Sequence, residues 1–220
     1  GAGFYGRGAF THAREQVDGF MESPDRVSFA PPGTGNMDDV GAKYVFDTLR
    51  RAVDNDVQFA PTSVSDECHF LIVYGVGLGA HIEHLVERTN CKSLILVEPN
   101  LEFLSHSLSV VDWHSWLERF EGDDDRFLYL CVDNDPEKIF FSVAAFIRSH
   151  GAAFFDGTIF FSHYHNSAME LADNKIKEDA RGIVTGLGFL EDEMLMIENS
   201  FKNLINYESP VFKILKNKSN

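Results

Sequence analysis

The 220-residue sequence is poor in cations: Lys and Arg total 19 against 34 Asp and Glu, a formal net charge of −15. Such a chain is repelled by phosphate backbones and anionic bilayers, which speaks against nucleic acid or a membrane surface as its main partner. Cysteine is scarce. Cys68, Cys91 and Cys131 are an odd number with neither CxxC nor finger spacing, so a disulfide framework and a zinc ribbon are not expected. No apolar run approaches about 18 residues, and no membrane-spanning helix is expected. GAGFYGRGAF lacks the basic start and apolar core of a secretory signal. Reduced thiols without a leader suit a cytoplasmic protein. Trp occurs twice, whereas Phe occurs 20 times and hydrophobic residues make up 44% of the chain, enough for a sizeable core.

The first 66 residues read as a separate N-terminal segment. It carries a helix over Thr11 to Phe20, a short strand from Arg26 to Ala30, a loop at Pro31, Pro32, Gly33 and Gly35, and a helix behind Asp38 and Asp39. From His69 the texture changes. HFLIVYG, CKSLILVEPN, RFLYLCVDND and GTIFFSHYHN are short apolar runs, the pattern of strands buried on both faces. Helical stretches separate them: AHIEHLVERTN, then NLEFLSHSLSVVDWHSWLERF with a break near Val111 to Trp113, then PEKIFFSVAAFIRSHG with Pro136 in its first turn and Gly151 past its end. Alternation of this kind predicts βαβ units and a mostly parallel sheet with helices on both faces, over residues 67–185. Helices over about 166–181 and 188–206 follow, and residues 186–220 read as a C-terminal helix and linker.

The segment Val73-Tyr74-Gly75-Val76-Gly77-Leu78-Gly79-Ala80 joins the first strand to a helix, the context in which G-x-G-x-x-G/A gains meaning. A glycine turn there brings backbone N–H groups and a helix N-terminus to bear on an anion. Glu98 stands 19 residues after Gly79, at the carboxyl end of the second strand, where an acid commonly binds ribose hydroxyls. Gly75, Gly77, Gly79, His81, Glu98, Asp133 and His163 are therefore the candidate ligand contacts, converging on the strand ends. The competing reading is that the glycines only permit close packing and Glu98 caps the next helix. His84 shares a helix face with His81, and His165 follows His163. HxH has no third ligand at metal spacing, so no metal is expected. Asp135 before Pro136 suits a helix cap, and Asp123 to Asp125 suit a solvated loop. The glycine spacing also suits an S-adenosylmethionine-dependent methyltransferase. Those enzymes usually carry an acid two residues before the first glycine, where this chain has Val73.

The glycine turn, V-E-P-N, and the stretch with Phe103, Ser107, Leu108, Asp112 and Trp113 together resemble the N-terminal region of the motility accessory factor (Maf) family. Ser23-Pro24-Asp25-Arg26 fits the same region, and the resemblance runs from about residue 20 to the end. It implies a Rossmann-like α/β domain at the front of a bacterial flagellin glycosyltransferase. The whole enzyme would move a nonulosonic acid from a CMP-sugar to Ser or Thr of flagellin. The family's central domain is marked by a G-x-G-P-S-L segment, and no such segment occurs here. The expectation is an accessory domain that is not itself catalytic, with flagellin and the catalytic domain of the parent chain as partners and a nucleotide or nucleotide-sugar as possible ligand. A methyltransferase and a non-enzymatic interaction module remain the alternatives. The apolar Leu195, Phe201, Leu204 and Ile205 of the last helix are expected to face that further domain, with Lys213, Lys216 and Lys218 in a linker.

Overall fold

A computed structural model describes residues 8–29, 40–57, 66–121, 125–185 and 190–207. The expected loop at Pro31 to Gly35, the acidic start at Asp38 and Asp39, Asp123, Asp124 and the tail lysines lie outside these residues. The chain divides into two compact units, one of residues 1–29 and 61–184, the other of 30–60 and 185–220.

In the first unit α1 (Ala9–Met21) precedes the sheet. Then follow β1 (Phe70–Tyr74), α3 (Ile82–Thr89), β2 (Ser93–Val97), α4 (Leu101–Ser107), α5 (Trp113–Glu121), β3 (Phe127–Cys131), α6 (Pro136–Ser149), β4 (Ile159–Ser162), α7 (Ser167–Glu178) and α8 (Ala180–Thr185). The second unit contains α2 (Val40–Asp54) and α9 (Leu190–Tyr207), which pack on each other. In α9, Leu195, Met196, Ile197 and Phe201 are exposed. The side chains of Leu204 and Ile205 lie outside the described residues.

All four strands are parallel, in the order β3-β2-β1-β4. The fold is thus α/β, with helices around a four-stranded parallel sheet. Apolar runs with no polar alternation give it two buried faces. Phe70, Ile72, Tyr74, Ile95 and Phe160 meet α6, α7 and α8 on one side. Leu71, Val73, Leu94, Leu96 and Phe161 meet α1, α3 and α5 on the other. The Arg26–Ala30 strand reduces to an isolated antiparallel bridge from Arg26 to Ile159, although the Val27 N–H to Thr158 O and Phe160 N–H to Asp25 O bonds still moor this segment beside β4.

Strand ends pass into helices through Asx caps. Asn100 accepts from the Glu102 N–H, Asp135 from the Glu137 N–H, and Asn166 from the Ala168 and Met169 N–H groups. Each cap satisfies donors that the first helical turn cannot pair internally. The break expected near Val111 separates α4 from α5, where Asp112 accepts from the N–H groups of His114 and Ser115.

Phe161 locks the sheet to the elements on the α1 side. It is fully buried, meets Phe20 of α1 edge to face at 5.1 Å, and stacks on His81 at 5.4 Å. Truncation removes a large buried group and opens a cavity between α1 and the sheet. Phe161→Ala is expected to cost about 3–5 kcal/mol in urea unfolding followed by circular dichroism.

Candidate functional site

The sheet order reverses direction between β1 and β4. In open α/β sheets the crevice at such a point, outside the carboxyl ends of the strands, is where ligands bind. Here it is framed by the glycine turn after β1 and by Ser162 to Asn166 after β4.

Gly75 continues the ladder by donating to the Val97 carbonyl at 2.8 Å, and its φ is 90°. The ring of Tyr164 lies directly over it. A Cβ at Gly75 would sit 2.5 Å from a ring carbon, so no side chain fits. Gly79, φ 82°, is closed from another direction, by Val111 and Trp116. Gly77 has φ 52°. The glycines thus allow the turn to be covered by the protein's own side chains.

Glu98 follows β2 and is fully buried. Its Oε2 accepts from the N–H groups of Val76 (2.8 Å) and Gly77 (3.1 Å). Its Oε1 accepts from the Asn100 N–H (2.8 Å) and from the Tyr164 hydroxyl. The spacing that singled out Glu98 does bring it onto the glycine turn. The carboxylate, however, points inward and occupies the backbone donors that a ligand anion would need. Phe103 packs edge to face on Tyr164 at 5.5 Å and backs the arrangement.

His81, immediately before α3, is fully buried, and neither ring nitrogen makes a hydrogen bond of ordinary geometry. Its ring stacks on that of His163 with 3.9 Å between centroids. Burial first, then the neighbouring His163, hold His81 well below the usual imidazole range, against an opposing contribution from the Gly75 backbone. His163 donates its backbone N–H to the Tyr74 carbonyl, and its Nδ1 lies 2.9 Å from Gln16 Oε1. Gln16 Nε2 donates back to the His163 carbonyl at 3.1 Å, so one side chain of α1 clasps both ends of this residue. Desolvation, with a smaller push from His12, lowers His163 to about 4.

The other candidates stand apart from this cluster. Asp133 accepts from the Asp135 N–H at 2.9 Å and lies 3.7 Å from Lys138, closing the turn into α6. His84 pairs with Asp18 at 2.9 Å, in a network with Arg88 and Asp66 that fastens α1 to α3. His165 is exposed and lies 3.5 Å from Glu170. Cys68, Cys91 and Cys131 are free thiols, raised by burial to about 12, 11 and 11, which keeps them protonated and unreactive. Among the described residues no three His, Cys, Asp or Glu side chains converge as metal ligands.

A second feature of the crevice was not singled out from the sequence. On the α7 side lies a cavity of about 360 Å³ bordered by Tyr74, Ser162, Asn166, Met169, Glu170 and Asp173. Tyr74 looked like the last apolar residue of a strand, and Asp173 like one more acid on a helix. The available signal was the i, i+3 pairing of Glu170 and Asp173, which puts both carboxylates on one helix face.

An α/β domain whose glycine turn is sealed by its own carboxylate is the class that fold and site define. The family model for the glycosyltransferase Maf N-terminal domain matches residues 1–185, and the chain belongs to that family. Among solved structures it is similar to the Maf glycosyltransferase from Magnetospirillum magneticum AMB-1, with 29% identity and a TM-score of 0.69. That match covers 90% of this chain and 31% of the other, so the chain spans about a third of the length of that protein. No curated protein matches it. No helix among the described residues is long and apolar enough to cross a membrane.

Two outcomes follow from the cluster. Glu98→Gln places an amide NH₂ against groups that all donate, so at least one donor turns against it. The variant is expected to lose about 1–3 kcal/mol of unfolding free energy. The second concerns acid. His163 falls from its ordinary 6.5 to about 4 on folding, so between these values the unfolded chain binds more protons. The stability supplied by neutral His163 is complete above pH 6.5 and is lost as the pH falls to about 4. His81 acts in the same direction. Thermal melts from pH 7 to 4 are expected to show a falling midpoint, with a smaller fall in His163→Gln than in the parent.

Proposed function

We propose that this chain is the non-catalytic accessory domain of a Maf-type flagellin glycosyltransferase. The parent enzyme would transfer a nonulosonic acid from a CMP-sugar to Ser or Thr of flagellin in the cytoplasm, and this domain would work beside the catalytic domain of the same polypeptide. One observation carries the division of labour: the Val76 and Gly77 N–H groups, the natural seat for a donor phosphate, are taken by Glu98. A nucleotide would have to displace the Tyr164 ring from Gly75 and leave a buried carboxylate without partners, which is costly. S-adenosylmethionine meets the same obstacle, because the acid needed for its ribose is already engaged on four donors. Glycosyl transfer further requires an acceptor hydroxyl aligned on the sugar carbon. His81 and His163 are locked ring to ring, and Glu98 is sealed, so none of them is placed to serve as its base.

The chain is expected to leave flagellin unmodified. Purified protein incubated with CMP-pseudaminic or CMP-legionaminic acid and flagellin should give no sugar-sized mass increase over a no-enzyme control. Calorimetric titration with CMP and with S-adenosylmethionine should give no saturable heat. A mass increase would make the domain itself the transferase, and tight binding of S-adenosylmethionine would favour a methyltransferase.

A further inference from the structure

The sheet ends differently at its two edges. Outside β4, residues 25–27 take up backbone groups of the strand and its approach. The Val27 N–H donates to the Thr158 carbonyl, the Gly157 N–H to the Val27 carbonyl, and the Phe160 N–H to the Asp25 carbonyl. Outside β3 no strand or bridge follows among the described residues. The Phe127 N–H donates to the Lys92 carbonyl and the Glu98 N–H to the Cys131 carbonyl, so residues 127, 129 and 131 turn their backbone groups toward β2. Alternation along the ladder then turns the N–H and C=O groups of Leu128 and Leu130 outward. There they bond to no described residue.

Free sheet edges are normally blunted by a charge, a proline or a bulge. β3 has none of these: Phe127-Leu128-Tyr129-Leu130-Cys131 carries no charge and no proline, and it pairs with β2 in unbroken register. The flanking charges are engaged on their own chain. Arg126 donates to Asn90 Oδ1, while Asp133 accepts from the Asp135 N–H and lies 3.7 Å from Lys138. Every residue of β1 and β2 is buried, whereas Phe127 to Leu130 are partly exposed. Phe127 and Tyr129 stand on one face of the sheet, Leu128 and Leu130 on the other. Outward backbone groups two residues apart call for an extended chain as partner. Apolar side chains on both faces call for a strand that is apolar on both faces. β3 itself meets both conditions. We propose that a second copy of this chain pairs here, β3 antiparallel to β3 about a two-fold axis at Tyr129, so that two four-stranded sheets become one of eight strands. Leu128 of each copy then exchanges both backbone bonds with Leu130 of the other, which satisfies all the outward groups of these two residues. Leu128 faces Leu130 and Tyr129 faces Tyr129, apolar against apolar. This inference goes beyond the accessory role and does not depend on it, since the Glu98 bonds take no part in the edge.

The test is sedimentation velocity on the whole chain from about 5 to 500 µM, the range in which a small interface associates. Salt at about 0.5 M screens the repulsion between two copies that each carry −15. A concentration-dependent shift to twice the monomer mass is expected. Amide hydrogen exchange then locates the interface. At the low concentration the Leu128 and Leu130 amides are expected to exchange about tenfold or more faster than those of Tyr129 and Cys131, and at the high concentration to slow to match them. Two variants address the edge directly. Leu128→Lys lays an apolar stem along the edge with its head in water in the monomer, but buries a charge against Leu130 in the pair. Leu128→Pro removes an N–H that the monomer leaves unpaired. Each is expected to weaken association by about tenfold or more. Should neither variant fold, the exchange pattern of the parent decides. A chain that stays monomeric across the range, a dimer in which Leu128 and Leu130 still exchange fast, or folded variants that associate like the parent would overturn the proposal.

Discussion

The carboxylate of Glu98 ties the turn after β1 to the segments that follow β2 and β4. It rises from the end of β2, takes two backbone donors from the turn after β1, one from the entry to α4, and the hydroxyl of Tyr164 from the loop after β4. These side-chain bonds add to the backbone bonds from Gly75 N–H to the Val97 carbonyl and from His163 N–H to the Tyr74 carbonyl that already join the strand ends. The charge is tolerable in the interior because donors surround both oxygens. With no side chain at Gly75, Tyr164 can lie close enough to supply its bond. The same geometry that braces the fold removes the anion seat that a glycine turn usually offers. The proposed accessory role rests on this engagement of the Val76 and Gly77 N–H groups.

The fold was legible because its signals are local. Runs such as HFLIVYG and SLILV contain no polar alternation, and buried parallel strands are what such runs form. Asp135 before Pro136 announced the cap of α6, and the break expected near Val111 to Trp113 falls between α4 and α5. The Arg26–Ala30 strand was overread: among its described residues, 26–29, there is one antiparallel bridge, from Arg26 to Ile159 beside β4. The site was legible only as a list of residues. Sequence spacing placed Glu98 at the glycine turn, yet nothing in the spacing says whether a carboxylate faces out to a ribose or in to backbone amides. That depends on Tyr164, which comes 66 residues later and whose ring decides the matter.

The region therefore has two sides of different character. Toward α1 and α3 it is tight and apolar, with His81 pressed between Phe161 and His163 and kept neutral by desolvation. Gln16 reaches across to His163 and ties α1 to the end of β4. Toward α7 the packing opens into a cavity of about 360 Å³ that Glu170 and Asp173 help to line.

Amide hydrogen exchange at Val76 and Gly77 distinguishes a sealed turn from an open one. If Glu98 accepts from both groups in solution, these two amides exchange as slowly as those of β1 without any ligand, and adding CMP changes nothing. Rapid exchange at both, slowed only when CMP is present, would show that the turn is an open nucleotide seat and that the carboxylate does not close it.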